Sequence, residues 1–227
     1  MYRKDVRGFL PELMEKIYKD RTVYKKKMLQ AKQDYEKTPT KALEKEIARC
    51  NNIQMARKIQ LNSAYGAIGN QYFRYYKLAN AEAITLSGQV SIRWIENRMN
   101  GYLNKLLQTE GEDYVIASDT DSIYLNMGPL VNKFFSAKSG DKTAIVKILD
   151  QICEDKLEPF IEQSYTKLAD YVQAYEQKMI MKRENIAERG IWTAKKRYIL
   201  NVWNSEGVQY TEPKLKMMGI EAVKSST

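Results

Sequence analysis

The sequence predicts an α+β chain: a helical hairpin joined to an antiparallel sheet backed by helices. Three observations carry this prediction. Two Gly-poor stretches with helical spacing flank a Thr38-Pro39-Thr40 break. After Tyr114 the apolar period falls from three-to-four residues to two, as in strands. The C-terminal third is rich in β-branched and aromatic residues and is punctuated by Glu206-Gly207.

The elements follow in order. Residues 12–37 contain neither Gly nor Pro, and Leu13, Ile17, Tyr24, Met28, Ala31 and Tyr35 recur at separations of three, four and seven. Thr40 is placed to cap a second helix from Lys41, with Ala42, Leu43, Ile47, Cys50 and Ile53 on one side. Gly66 and Gly69 end or kink it. Residues 79–107 return to helical spacing, with Ile84, Val90, Trp94, Met99, Leu103 and Leu106 expected to face a core. The runs 114–118 and 122–126 read as a hairpin around Asp119-Thr120-Asp121. Residues 141–175 read as helix, interrupted near Pro159. The remainder reads as strands at 179–181 and 192–203, then a turn into a strand ending near Tyr210.

Composition removes whole classes of chemistry. The 227 residues contain no histidine, which excludes Ser-His-Asp and Cys-His nucleophilic sites and imidazole-based metal sites or pH switches. Two lone cysteines, Cys50 and Cys153, form neither a disulfide framework nor a Cys-x-x-Cys motif, so a reducing, intracellular setting is expected. The longest uncharged stretch, residues 59–73, includes Gln60, Asn62, Asn70, Gly66 and Gly69, so no membrane span is expected. The N-terminus has no basic-then-apolar leader pattern. The net charge of +9 is uneven: residues 1–58 hold 16 Lys+Arg against 8 Asp+Glu, the remainder 21 against 20. A basic first quarter serves either as a polyanion-facing surface or as a solvated helical face.

Two constellations carry chemistry. Asp119 and Asp121, two apart in a tight turn, can project together and offer the oxygen ligands that a hard cation such as magnesium prefers. The same residues serve a plain turn through their backbone hydrogen bonds. The turn is not an EF-hand loop, which would need Gly and Glu where Tyr124 and Leu130 stand, nor an Asp-x-Asp-x-Thr phosphotransfer motif, because Ile123 holds the last position. On a helix, Lys58, Asn62 and Tyr65 share one face. An ammonium, an amide and an aromatic ring there suit a nucleotide; a partly exposed helix end with Gly66 as its cap accounts for them equally. Arg21 and Lys25 form a further cationic pair at i, i+4.

Taken together, Lys-x-x-x-Asn-Ser-x-Tyr-Gly at 58–66 and Asp-Thr-Asp-Ser at 119–122 resemble the second and third polymerase motifs of family B DNA polymerases. The resemblance continues through Tyr72-Phe73-Arg74-Tyr75-Tyr76, Ala83-Ile84-Thr85, Lys195-Lys196-Arg197-Tyr198, Lys214-Leu215-Lys216-Met217-Met218-Gly219 and Lys224-Ser225-Ser226-Thr227. It covers essentially the whole chain and is strongest toward the T-even-type bacteriophage group.

The resemblance implies a fold and roles. Residues 1–69 would be the fingers helical hairpin, 70–219 part of the palm, and 220–227 the start of a thumb. Asp121 matches the carboxylate that binds catalytic metal, Asp119 its less direct neighbour, and Glu184 an acidic position close by. Two magnesium ions serve the complete enzyme. Lys58 and Asn62 match residues facing the incoming deoxynucleoside triphosphate, and Tyr65 the ring near the nascent base pair. Arg21 and Lys25 match the cations that clamp the triphosphate. Lys196 and Tyr198 match the contact to the primer-template duplex, and Gly66 a position facing DNA. Lys182 stands where close relatives tend to carry Asp, and 187–190 is shorter than their Gly- and Pro-rich loop. The cytoplasm of a phage-infected bacterium is the implied location.

The family's first motif, Asp-x-x-Ser-Leu-Tyr-Pro, does not occur in these residues. The expectation is therefore fingers plus most of the palm, from a split enzyme or a longer chain, inactive until a complementary fragment supplies the first motif, exonuclease and thumb. The rival expectations are a non-enzymatic basic nucleic-acid-binding fragment and a folded remnant without activity.

Overall fold

The computed structural model describes residues 5–135 and 141–220. The thumb segment expected at 220–227 lies, beyond Ile220, outside the described residues. The chain divides into two units, Met1–Ser87 and Gly88–Thr227. The expected functional division at 69/70 falls inside the first unit, just past its second helix.

In the first unit, α1 (Phe9–Lys37) and α2 (Lys41–Ile68) pack as an antiparallel pair. Thr38 and Pro39 break the helix, and the Thr40 hydroxyl accepts from the Leu43 N–H at 3.3 Å, capping α2 as its sequence requires. Met28 and Ala31 bury against the seam together with Cys50 and Gln54. Few side chains are hidden there, so most of both helices faces outward with its charge. α2 runs straight through Gly66 and is capped by Gly69. Past it, the Phe9 and Tyr75 rings meet edge to face, 4.9 Å between centroids, and return residues 70–77 to the start of α1.

The second unit is built around α3 (Leu78–Leu107), whose later part lies in it. Ile95, Met99 and Leu103, spaced by four, are fully buried. Ile84, Val90 and Leu106, expected in the core, are exposed. Ile95 and Met99 share a buried cluster with Val115 and with Ile161, Tyr165 and Leu168 of α6 (Glu158–Tyr171), whereas Leu103 packs with Tyr114, Leu130 and Leu149. The strands β1 (Val115–Asp119) and β2 (Ser122–Leu125) form an antiparallel hairpin. Asn100 of α3 fixes its start, its Oδ1 accepting from the Tyr114 and Val115 N–H groups at 2.9 and 3.0 Å.

Helix α4 (Gly128–Phe135), unexpected from sequence, starts with Pro129 in its first turn and buries Leu130. Asp141 caps α5 (Lys142–Ile152). The expected interruption near Pro159 is a widened π-turn, Cys153–Leu157, that leads directly into α6. Proline has no N–H for the carbonyl four residues back, and the wider turn absorbs the mismatch. Helical structure then ends at Tyr171, short of the expected 175.

A three-stranded antiparallel sheet closes the unit in the order β3 (Asn185–Ala194), β4 (Arg197–Ser205), β5 (Val208–Met218). Two expectations are corrected here. Residues 179–181 are not a strand; without a neighbouring strand their backbone groups have no ladder, and Met179 and Ile180 lie exposed. The run 192–203 is not one strand, because the chain reverses at Lys195-Lys196 with Ala194 opposite Arg197. The Glu206-Gly207 turn is as expected, but β5 continues to Met218.

Candidate functional site

The acidic turn is a two-residue reversal: Asp119 pairs with Ser122, leaving Thr120 and Asp121 at the tip. Thr120 adopts φ +55°, a conformation normally left to Gly, Asn or Asp. Its hydroxyl donates to Asp119 Oδ1 at 2.9 Å, and the Asp121 N–H donates to the Asp119 carbonyl at 2.6 Å. Asp121 is exposed and Asp119 partly so. A magnesium ion commonly takes one or two carboxylates and completes its shell with waters and phosphates. The turn fits that minimal donor set. Among the described residues no three His, Cys, Asp or Glu side chains gather into a cation-holding group, so Glu184 does not close a three-carboxylate cluster with the turn.

Behind the turn lies an aromatic cluster absent from the sequence reading. Tyr124 of β2 meets Trp192 edge to face at 5.2 Å and Tyr198 at 5.7 Å. Burial, then its hydrogen bond to Tyr198, raises the Tyr124 phenol well above its ordinary value, and the Glu184 carboxylate adds to the rise. Tyr198 is thereby held by the acidic hairpin. Gly190 makes room for the cluster: a methyl there would fall within 2.6 Å of the Trp192 ring and 2.8 Å of Leu200. The period-two run after Asp121 placed Tyr124 on a strand but could not name its cross-sheet partners. Lys196, exposed, sits at the tip of the β3–β4 turn.

Glu184 is exposed, but its backbone is pinned. Its carbonyl accepts from the Glu206 N–H at 2.6 Å. The preceding Arg183 makes an ion pair with Asp150 and donates from Nη1 to Asn204 Oδ1 at 2.7 Å. Nothing in the sequence singles out Arg183, because its partners come from α5 and β4. Lys182, the departure noted above, pairs with Glu158 at 3.6 Å.

In the first unit, Lys58, Asn62 and Tyr65 share an exposed face of α2. The Tyr65 hydroxyl is hydrogen-bonded to Thr85 Oγ1 at 2.8 Å. Gly66 has open space where a side chain would be, so backbone is accessible there. On α1, Arg21 and Lys25 are half-buried, and Arg21 Nε is buried with no hydrogen-bond partner among the described residues. The Asp20–Arg57 ion pair joins the two helices, and Arg21 and Lys58, the chain neighbours of that pair, stand at one level of the helix pair.

Fold and site define a class: an α+β chain with a carboxylate pair, one exposed and one partly so, on a β-turn in one unit and a cationic, aromatic-bearing helix pair in the other. The chain belongs to DNA polymerase family B, whose sequence profile matches residues 1–168. Over its whole length it is similar to the DNA-directed DNA polymerase of Escherichia phage RB69, 36% identical over 276 residues that make up 31% of that protein. To the corresponding enzyme of Enterobacteria phage T4 it is 43% identical over 192 residues, 81% of this chain and 21% of the relative. The DNA polymerase delta catalytic subunit of Drosophila melanogaster is 30% identical over 122 residues, 54% of this chain and 10% of the relative. The chain thus spans less than a third of the length of these relatives. Among the described residues no helix is long and apolar enough to cross a membrane.

Proposed function

We propose that this chain supplies the fingers (1–69) and palm (70–219) of a template-directed DNA polymerase, which adds deoxynucleotides to a primer 3′-hydroxyl during DNA replication in a phage-infected bacterium. The observation that carries the reading is the Asp119-Thr120-Asp121 turn, with its two accessible carboxylates, in a family B polymerase chain. Asp121, assisted by Asp119 and with Glu184 nearby, would hold magnesium. When bound, two magnesium ions lower the pKa of the attacking hydroxyl and neutralise charge on the leaving oxygens.

The chain's own contribution is positioning and electrostatics. Lys58, Arg21 and Lys25 bind the triphosphate and Asn62 orients it, while Tyr65, braced by Thr85, offers its ring to the nascent base pair. Gly66 leaves backbone open to DNA, and Lys196 and Tyr198 meet the primer-template duplex. Each clamping cation contributes about 1.5–3 kcal/mol as a charge-assisted hydrogen bond. Losing one should slow incorporation roughly 10- to 100-fold. A complementary polypeptide carrying Asp-x-x-Ser-Leu-Tyr-Pro, a string absent from these 227 residues, completes the carboxylate set and adds exonuclease and thumb.

Primer extension tests the reading. The chain alone should extend nothing; extension should appear on adding the complementary polypeptide, and Asp121→Ala should abolish it. Failure of the mixed polypeptides to extend a primer would refute the proposal. The lack of a three-carboxylate group among the described residues favours, as a second reading, a basic nucleic-acid-binding fragment without catalysis. A manganese titration separates the two, because a plain binder shows no affinity that Asp121→Ala removes.

A further inference from the structure

The turn that carries Lys196 is built against the conformational preference of its own residues. Between Ala194 and Arg197 the reversal has only two residues, and the second, Lys196, adopts φ +63°. Glycine or asparagine normally holds a positive-φ turn position, because a Cβ there crowds the backbone. Lysine at such a position is an outlier, and outliers of this kind persist only where the surrounding structure over-determines them.

The element that over-determines it is the end of β5. Tyr198 pairs with Met218, so the next residue, Gly219, comes up against the turn. A Cβ on Gly219 would stand 2.5 Å from the Lys196 carbonyl oxygen and 3.4 Å from its carbonyl carbon, with Arg197 Cγ at 3.2 Å. The obstruction at 2.5 Å is backbone, which cannot swing aside as a side-chain tip could. Gly219 itself has φ +64°, so a substitution is strained at both its own backbone and its neighbour's. The missing side chain at 219 is therefore what allows the turn to sit where it does, with the Lys196 ammonium exposed.

We infer that Gly219 is a positioning residue for Lys196: its bare Cα seats the strained Lys195-Lys196 turn so that the Lys196 ammonium is held toward a phosphate of the duplex. The inference rests on the proposed duplex contact and adds to it the residue that aims that contact and a reason for the backbone strain.

The test is fluorescence anisotropy of a labelled primer-template duplex with the full chain over a range of salt, alongside thermal melts. Lys196→Ala should weaken binding and reduce the slope of log K against log salt by about 0.9, the contribution of one phosphate. Lys196→Arg should keep the slope. Gly219→Ala should reproduce the loss of slope, and the double variant should be no worse than either alone. Lys196→Gly should bind as poorly as Lys196→Ala yet melt roughly 2–4 °C higher, because the strain is relieved. A loss of fold that leaves slope per bound molecule unchanged would not mimic this pattern. If Lys196→Ala weakens binding and a folded Gly219→Ala does not, the positioning role is overturned and the duplex contact stands. If Lys196→Ala has no effect, both fall. If Gly219→Ala does not fold, the Lys196→Gly melt decides: a melting temperature at or below that of the parent means that no strain is held at the turn, and overturns the inference.

Discussion

Asp20 of α1 accepts a hydrogen bond from Arg57 Nε of α2 at 2.5 Å, and this pair joins the two helices midway along their seam. Arg57 also donates from Nη1 to Gln60 Oε1 at 3.1 Å, which holds the guanidinium flat along its own helix. Arg21 and Lys58 are the adjacent residues in each helix, so the pair lies beside two of the proposed triphosphate ligands.

Arg57→Ala should therefore separate stability from binding. Both partners are more than a third exposed, at 37% and 39%, so solvent screening limits the stability loss to under about 1 kcal/mol. The melting temperature should barely move. Triphosphate affinity, measured by calorimetric titration, should fall several-fold. An unchanged affinity would show that the register of α1 and α2 does not depend on this pair.

The buried brace behind Glu184 should respond differently. The Arg183 side chain is 10% exposed and that of Asp150 23%, and Asn204, itself buried, donates to Asp150 Oδ2 at 3.2 Å. Arg183→Met leaves the Asp150 carboxylate without its counter-charge, only the Asn204 amide still bonded to it, a loss of about 3 kcal/mol. Over a chain of this size that lowers the melting temperature by roughly 6–12 °C. Adding Asp150→Leu should recover part of the loss, because it removes the stranded charge. Calorimetric melting of the two variants checks both signs.

Stability should decline on the alkaline side. Burial pushes the Tyr165 phenol up to about 12, and burial with the Tyr198 hydrogen bond raises Tyr124 as well. A free tyrosine ionises near about 10, so above that pH the unfolded chain releases protons that the folded chain retains. The contribution is fully present below pH ~10 and is lost as pH rises toward 12. Denaturant midpoints across this range should fall, and Tyr165→Phe should flatten the slope. A midpoint that holds steady to pH 12 would contradict the assignment.

Gly66 lies inside α2 with open space around it, so alanine costs nothing sterically and restores helix propensity. Gly66→Ala should stabilise the chain by about 1 kcal/mol. The melting temperature should rise while affinity for primer-template DNA falls, because a methyl now covers backbone proposed to face the DNA. A gain in stability with unaltered DNA binding would remove Gly66 from the interface.

The sequence by itself determined the local structure wherever the cause is local. Thr40 and Asp141 are caps because their side-chain oxygens reach the N–H three residues on. The Asp119-Thr120-Asp121 reversal was legible because strand runs flank it in register. The spaced motifs also pointed to the polymerase family that the comparisons establish. Tertiary structure decided the rest. Which apolar residues of α3 are buried depended on what packs against each turn: Ile84 and Ile95, eleven residues apart, fall on one helix face, yet only Ile95 shares a buried cluster with Ile161 and Tyr165. The reversal at Lys195-Lys196 carries no Gly or Asn to announce it; only the paired sheet, with Ala194 opposite Arg197 and Gly219 against the Lys196 carbonyl, shows it. Tyr124 meets Tyr198, and Arg183 meets Asp150 and Asn204, across separations of tens of residues. No periodicity encodes such pairs, because their energy comes from burial and hydrogen bonds that exist only once the elements have packed.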